Sequence, residues 1–67
     1  MNNEQAEGIL LGSILLDNTI IKDISLMPEH FYSIKHRKLY EAMQSIVRKN
    51  DVIDAATLVL ELGKDGL

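Results

Sequence analysis

The amino-acid sequence predicts an all-α fold: a small orthogonal bundle of about four helices, plus a short helical turn near Pro28. Three observations predict it. Apolar residues recur at helical spacing along several stretches of the chain. Residues that favour helix N-caps precede these stretches, and Pro28 and Gly63 stand where helices begin or end. No partner strand is visible for the single β-branched stretch.

The first helix begins after Asn2 or Asn3, either of which can cap it, and ends at Asp17-Asn18. A helix with so wide an apolar band must be covered on more than one side. Gly8 and Gly12 lie four residues apart on one face, so we expect another backbone to pack closely there. The apolar stripe comprises Ala6, Ile9, Leu10, Ser13 and Ile14, and Leu11, Leu15 and Leu16 widen it.

A second, short helix is predicted from about Thr19 to Ile24, with Ile20, Ile21 and Ile24 on its buried edge. Its β-branched residues would also suit a strand, but their spacing favours a helix. Pro28 disfavours helix at the preceding residue, so Ser25–Met27 is predicted to be a connection. Pro28-Glu29-His30 then suits a first helical turn.

Ser33 is the predicted N-cap of the longest helix, about Ile34 to Lys49. Arg37 and Glu41 are four residues apart on it and could pair. Asn50-Asp51 can turn the chain after this helix. Its apolar stripe comprises Leu39, Tyr40, Met43, Ile46 and Val47.

Asp54 is the predicted cap of a last helix, about Ala55 to Leu62, with Gly63 as its C′ residue. The predicted inner side of this helix comprises Ala55, Leu58, Val59 and Leu62.

Composition excludes several functional classes. The 67 residues allow one small domain, and 46% hydrophobic with 25% charged residues is a globular balance. The chain has no cysteine, so it has no disulfide and no thiolate metal site. No apolar run is long enough to span a membrane. A net charge of −3 and only three aromatic residues argue against a self-sufficient nucleic-acid binder.

The motifs indicate no catalytic, cofactor-binding or metal-ligating residue. The four glycines do not form a phosphate-binding loop. His30 and His36 are six residues apart, which is not a zinc-helix spacing, and His36 is expected to be structural or solvated. Lys35, Arg37 and Lys38 oppose the helix dipole at the start of the long helix. They are the candidate partner-contact residues, and the alternative is a simple solvated face.

Four sequence elements, taken together, resemble the N-terminal domain of replicative DNA helicases of the DnaB type. They lie in EGILLGSILLDN (Glu7–Asn18), PEHFYSIKHRKLYEAM (Pro28–Met43) and IDAATLVLEL (Ile53–Leu62). The four elements are Leu11-Gly12 to Asp17, Phe31-Tyr32 with His36, Tyr40 to Met43, and Ile53-Asp54 with Thr57-Leu58. The resemblance covers nearly the whole chain.

The resemblance implies that residues 1–67 are a helicase N-terminal collar domain, expected to stop before a C-terminal helical hairpin and without the ATPase domain. In that family, cytoplasmic hexamers encircle single-stranded DNA and unwind duplexes with ATP and magnesium bound by a separate motor domain. The N-terminal domains pair and serve as a platform for DnaG-type primase and, in some systems, a helicase loader. This segment itself is therefore expected to bind no cofactor, no nucleic acid and no membrane, and to be non-catalytic.

By the same resemblance, the matched residues are architectural. Gly12 is expected to allow close helix packing, Phe31 and Tyr32 to wedge beneath the long helix, and Tyr40 and Met43 to fill the core. Self-association is expected, through the first helix or by exchange of a terminal helix. Two alternatives remain: a free-standing mimic that blocks helicase assembly or primase docking, and a three-helix DNA binder that reads with the Ser33–Lys49 helix.

Overall fold

The computed structural model describes residues 2–64, which form three α-helices and two 3₁₀ segments. The α-helices are α1 (Asn3–Leu16), α2 (Ile34–Arg48) and α3 (Ala55–Gly63). The 3₁₀ segments, Asn18–Asp23 and Pro28–His30, both lie between α1 and α2. No strand occurs in residues 2–64. The predicted all-α class is confirmed.

Each α-helix begins at a side chain that accepts a hydrogen bond from the helix's own first turn, as predicted. Asn2 accepts from the Gln5 amide at 2.8 Å, and the Gln5 side chain accepts from the Asn2 amide. Ser33 accepts from an amide in the first turn of α2. Asp54 and Thr57 form a reciprocal capping box at the start of α3. These bonds satisfy amides that have no partner within the helix.

The segment predicted as a helix over Thr19–Ile24 is a 3₁₀ helix over Asn18–Asp23. Asp17 caps it, with its carboxylate accepting from the Thr19 amide and hydroxyl. The segment has only six residues between extended backbone at Asp17 and Ile24, and 3₁₀ bonding is typical of such short pieces. Ile21 is nevertheless buried and faces the core, so the predicted inner edge is correct.

The core surrounds α2, which contacts α1, α3 and the Pro28–His30 segment. Tyr40 is 1% exposed, and its ring lies 4.8 Å from that of Phe31, centroid to centroid. Its hydroxyl donates to the Leu26 carbonyl at 3.1 Å, and burial raises its pKa. The predicted core roles of Tyr40 and Met43 are confirmed. The buried set is Leu11, Ile14, Ile21, Phe31, Tyr40, Ala42, Met43, Ile46, Ile53 and Leu58.

Asn18 joins the end of α1 to the connection between α2 and α3. Its amide nitrogen donates to the carbonyls of Ile14 (2.8 Å) and Ile53 (3.1 Å), and its oxygen accepts from the Ile53 amide (2.8 Å). The predicted turn after α2 is present, with Asn50 at φ +57°, a left-handed conformation that asparagine tolerates. The hydrogen bonds between Asn18 and Ile53 hold Ile53, which is 1% exposed, against the core.

Several apolar residues that were predicted to face inward are exposed. Val59 is 70% exposed and Ala55 is also exposed, because α3 packs against α2 along the narrower strip of Leu58 and Leu62. Tyr32 is 70% exposed, so the predicted wedge consists of Phe31 alone. On α1, Ile9 and Leu16 also face solvent.

The ends of two helices differ slightly from prediction. The α2 helix ends at Arg48, with Lys49 as its C-cap residue. The α3 helix continues through Gly63 to a C-cap at Lys64, so Gly63 is its last helical residue and not its C′ residue. No helix within residues 2–64 is both long and apolar enough to cross a membrane.

Candidate partner-contact surface

The three candidate partner-contact residues have different surroundings at the start of α2. Lys35 and Lys38 are exposed and lie about one turn apart. Arg37 is half-buried, and its Nε donates to the Phe31 carbonyl at 2.7 Å. Within residues 2–64 neither lysine forms an ion pair. Lys35 and Lys38 are therefore open to a partner, whereas Arg37 also has a structural task.

The pair predicted between Arg37 and Glu41 does not form. The Arg37 side chain turns back to the Phe31 carbonyl, at the end of the Pro28–His30 segment. A charge-assisted bond to a fixed carbonyl is stronger than an exposed pair on one helix, which contributes only about 0.2–0.5 kcal/mol. Arg37 thus ties the segment before α2 to the helix.

Glu7 of α1 places a carboxylate at the start of α2. It accepts hydrogen bonds from the amides of Tyr32 and Ser33, the latter at 3.2 Å, and lies 2.9 Å from His36 Nδ1. Burial of this carboxyl tends to raise its pKa, but the hydrogen bonds from His36, Tyr32 and Ser33 outweigh it, and the pKa of Glu7 is lowered overall. A negative charge at this end of a helix is favourable. Glu7 therefore offsets the unfavourable basic opening of α2.

The two glycines on α1 have different surroundings. A Cβ added at Gly8 would lie 4.0 Å from the His36 ring, so Gly8 is approached by a side chain. A Cβ added at Gly12 would meet nothing within 4 Å among the described residues. The prediction that another backbone packs closely against these glycines is therefore wrong for contacts within residues 2–64. Gly12 is half-buried, and α1 has room for a side chain at this position.

A groove of about 570 Å³ runs between the Pro28–His30 segment, α2 and α3. Its basic lining is Arg37, Lys38 and Arg48, and its acidic lining is Glu29, Glu41 and Glu61. The groove therefore carries both signs of charge, and only its Lys38 end joins the exposed basic opening of α2. It offers polar contacts to a partner without favouring one sign.

Glu61 joins α3 to the end of α2. Its carboxylate accepts from Ser45 Oγ at 2.9 Å and Lys49 Nζ at 2.6 Å, and lies 3.5 Å from Lys64 Nζ. The hydrogen bonds from Lys49 and Ser45 lower the pKa of Glu61 to about 2. This carboxylate is part of the packing of α3 on α2, not a free acid.

Both histidines form hydrogen bonds within the fold. His36 binds Glu7, and His30 Nδ1 accepts from the Met27 amide at 3.0 Å. Within residues 2–64, no group of three or more His, Cys, Asp or Glu side chains is placed to hold a metal ion.

Sequence reasoning missed two residues that organise the fold: Glu7 at this surface, and Asn18 just beyond the end of α1. Glu7 acts across 29 residues on His36, and Asn18 acts across 35 residues on Ile53. Local spacing carries no signal for contacts at such separations. A carboxylate on the inner side of an apolar helix was the one available hint, since such a group needs donors.

The fold and these contacts define a small all-α domain whose half-buried polar side chains hold its helices together, and whose exposed basic residues lie at one end of α2. Over residues 1–67 the chain matches the family described as DnaB-like helicase N terminal domain. The chain belongs to this family, which confirms the resemblance noted from the sequence.

Replicative DNA helicases from several bacteria are similar to the chain over nearly its whole length. DnaB of Rickettsia prowazekii is 37% identical over 68 residues, covering 98% of this chain and 14% of the relative. DnaB of Geobacillus stearothermophilus is 33% identical over 60 residues, covering 87% of this chain and 13% of the relative. The Bacillus subtilis replicative DNA helicase DnaC is 33% identical over 67 residues, covering 97% of this chain and 15% of the relative.

The chain thus spans about 14% of the length of the first of these relatives. No solved structure matches it. The shared region is a helicase-associated domain of DNA replication.

Proposed function

We propose that the chain is a non-catalytic assembly and docking domain of a replicative DNA helicase. The observation that carries this proposal is the family match over residues 1–67, within relatives that are replicative helicases. In this proposal the domain forms part of a hexamer collar. It supports duplex unwinding by a motor domain that lies outside these residues and uses ATP and magnesium. The proposed location of the helicase is the cytoplasm.

The proposed docking partner is a DnaG-type primase or a helicase loader, and the proposed contact is the opening of α2. Lys35 and Lys38 are exposed and lack an ion-pair partner within residues 2–64, so an acidic partner surface would meet two available cations. Arg37 contributes at the edge of the groove while it remains bound to Phe31. Rim charges of this kind raise the association rate and its dependence on salt.

Calorimetric titration of the purified chain with the primase of the same organism, and separately with its loader, tests this docking. Charge reversal at Lys35 and Lys38 together should weaken binding by about tenfold or more. Lys22→Glu is the matched control, because Lys22 is also exposed but lies in the Asn18–Asp23 segment. Equal weakening by the control and the double variant would contradict the assigned surface, and no binding of either protein would contradict the docking role.

The purified chain can also distinguish the docking domain from the alternative function, a free-standing mimic that blocks helicase assembly or primase docking. Added to an intact replicative helicase, a mimic would inhibit unwinding or primase stimulation in proportion to its concentration. A domain that acts only within its own helicase would leave both rates unchanged at concentrations near those of the helicase.

A further inference from the structure

Tyr32 presents an aromatic ring to solvent from a stretch of backbone that is fixed on both sides. Its side chain is 70% exposed, whereas the neighbouring Phe31 is 2% exposed. The Glu7 carboxylate accepts from the amides of Tyr32 and Ser33, and Arg37 Nε donates to the Phe31 carbonyl. These bonds hold the backbone at Tyr32 in one position, so little further ordering is needed when a partner binds its ring.

Tyr32 lines two adjoining cavities. The larger, of about 540 Å³, lies between the first half of α1 and the segment from Leu26 to Tyr32. The smaller, of about 300 Å³, lies beside the start of α1 and is lined by Asn2, Asn3, Glu4 and Tyr32. The apolar and aromatic lining of the larger cavity is Ala6, Leu10, Leu26, Phe31 and Tyr32.

Most of the charged or basic side chains that line the larger cavity are already engaged. Glu7, His30 and Arg37 each form hydrogen bonds within the fold. Glu29 forms no ion pair within residues 2–64. The larger cavity can therefore accept an apolar side chain, and Glu29 remains as its available carboxylate.

The part of the chain that surrounds Tyr32 is acidic. Residues 2–32 contain five acidic residues and one lysine, whereas residues 33–64 contain six basic and four acidic residues. Glu4 lines the smaller cavity and, like Glu29, has no ion-pair partner among residues 2–64. This surface therefore favours a basic partner, in contrast to the basic opening of α2.

We propose that Tyr32 and its two cavities form a second docking site, which binds a partner-protein segment with a large apolar side chain next to a lysine or arginine. The apolar side chain enters the larger cavity, and the basic side chain packs on the Tyr32 ring beside Glu4. A cation over an aromatic face is attracted to it, and tyrosine is enriched among the residues that anchor protein interfaces. The site is separate from Lys35 and Lys38, and it takes a segment of the opposite charge.

The exposed apolar side chains of α3 do not identify a partner in the same way. Val59 and Leu60 are each 70% exposed and line a cavity of about 570 Å³ at the end of α2. Three charged residues that line this cavity, Lys49, Glu61 and Lys64, pair with one another. Charge therefore selects no occupant there, whereas Glu4 and Glu29 select a basic one at Tyr32.

Amide chemical-shift mapping of the isotope-labelled chain with three acetylated tetrapeptide amides tests the proposed site. The peptides are Ala-Leu-Lys-Ala, Ala-Leu-Glu-Ala and Ala-Ala-Lys-Ala. The first should bind with a dissociation constant in the millimolar range, with its largest shifts at Glu4, Ala6 and Tyr32. The second loses the attraction to Glu4 and Glu29 and the third loses the apolar side chain, so each should bind at least about fivefold more weakly.

Variants of Tyr32 test the role of its ring. Tyr32→Ala should weaken binding of Ala-Leu-Lys-Ala about tenfold with unchanged circular dichroism, because the side chain is exposed. Tyr32→Phe keeps the ring and should bind like the unmodified chain. Val59→Ala, which truncates an equally exposed side chain on α3, is the matched control and should also bind normally.

Three results would each overturn the proposed site: equal binding of the three peptides, no binding up to about 10 mM, or undiminished binding by Tyr32→Ala. The experiment uses neither primase nor loader and leaves Lys35 and Lys38 intact. Docking at the opening of α2 and docking at Tyr32 can therefore fail independently.

Discussion

Replacement of Asn18 by alanine removes three hydrogen bonds that join the end of α1 to Ile53. Each such bond contributes about 1 kcal/mol net, and the site is half-buried, so water recovers part of the loss. We expect the free energy of unfolding to fall by about 2–3 kcal/mol. A single core of this size supplies only about 3–5 kcal/mol, so the variant should be close to unfolding at room temperature.

Urea denaturation followed by circular dichroism at the helix band measures this loss. Asn3→Ala is the matched control, since it makes the same substitution at an exposed position of the first turn of α1. It should change stability by no more than about 0.5 kcal/mol.

A second variant tests the donors of Asn18 separately. Asn18→Asp keeps an acceptor for the Ile53 amide but faces two carbonyls without donors, so it should also destabilise. If the free energies of unfolding of Asn18→Ala and Asn3→Ala differ by less than about 0.5 kcal/mol, the proposed role of Asn18 in joining α1 to Ile53 is refuted.

Three further predictions concern single residues. The lowered pKa of Glu61 means that its bonds stabilise the fold fully above pH 4.5, and that this stability is lost as pH falls toward 2. Glu61→Gln should therefore lower stability at pH 7 and flatten the acid unfolding curve followed by circular dichroism, and an unchanged curve would contradict this role of Glu61. Gly12→Ala should increase the free energy of unfolding by about 0.5–1 kcal/mol and raise the thermal unfolding temperature, because alanine has the higher helix propensity and its Cβ meets no other atom within 4 Å. A lower unfolding temperature would contradict this prediction. Tyr40→Phe should cost about 0.5–1.5 kcal/mol in urea through loss of the Leu26 bond, and Tyr32→Phe should cost nothing measurable. Equal costs would contradict the different burial of the two tyrosines.

Local sequence patterns were sufficient to predict the three α-helices. The caps were predicted as Asn2 or Asn3, Ser33 and Asp54, because a cap bonds to an amide only two or three residues away, and Asn2 is the cap of the first helix. The apolar stripe of α2 was also predicted correctly, because α2 is the central helix and is contacted from several sides. The caps are predictable from sequence because their hydrogen bonds join residues close in the chain, and the α2 stripe is predictable because its central residues are buried.

The faces of the outer helices were harder to predict. Periodicity shows how wide the apolar band of a helix is. It does not show which part of that band is buried by the other helices of the chain. Val59 and Ile9 lie within such bands and are exposed, because α3 and α1 are each packed on one side within residues 2–64. The position of Tyr32 depended on Glu7, whose carboxylate holds the Tyr32 amide from a distant part of the chain.

The candidate partner contact was predictable only in part. The cluster at Lys35, Arg37 and Lys38 is evident as an unfavourable basic opening of a helix. The bond from Arg37 to the Phe31 carbonyl, and the compensation by Glu7, required three-dimensional packing. The other two cations, Lys35 and Lys38, are exposed and form no ion pair within residues 2–64.

The central proposal is that this domain docks proteins and is itself non-catalytic, and amide chemical-shift mapping of the isotope-labelled chain tests it most directly. The chain would be titrated in turn with primase, with single-stranded DNA at physiological salt, and with ATP and magnesium. The account predicts saturable shifts with primase, largest at Lys35 and Lys38, and none with DNA or nucleotide. Shifts with ATP or DNA, together with none from primase, would contradict it.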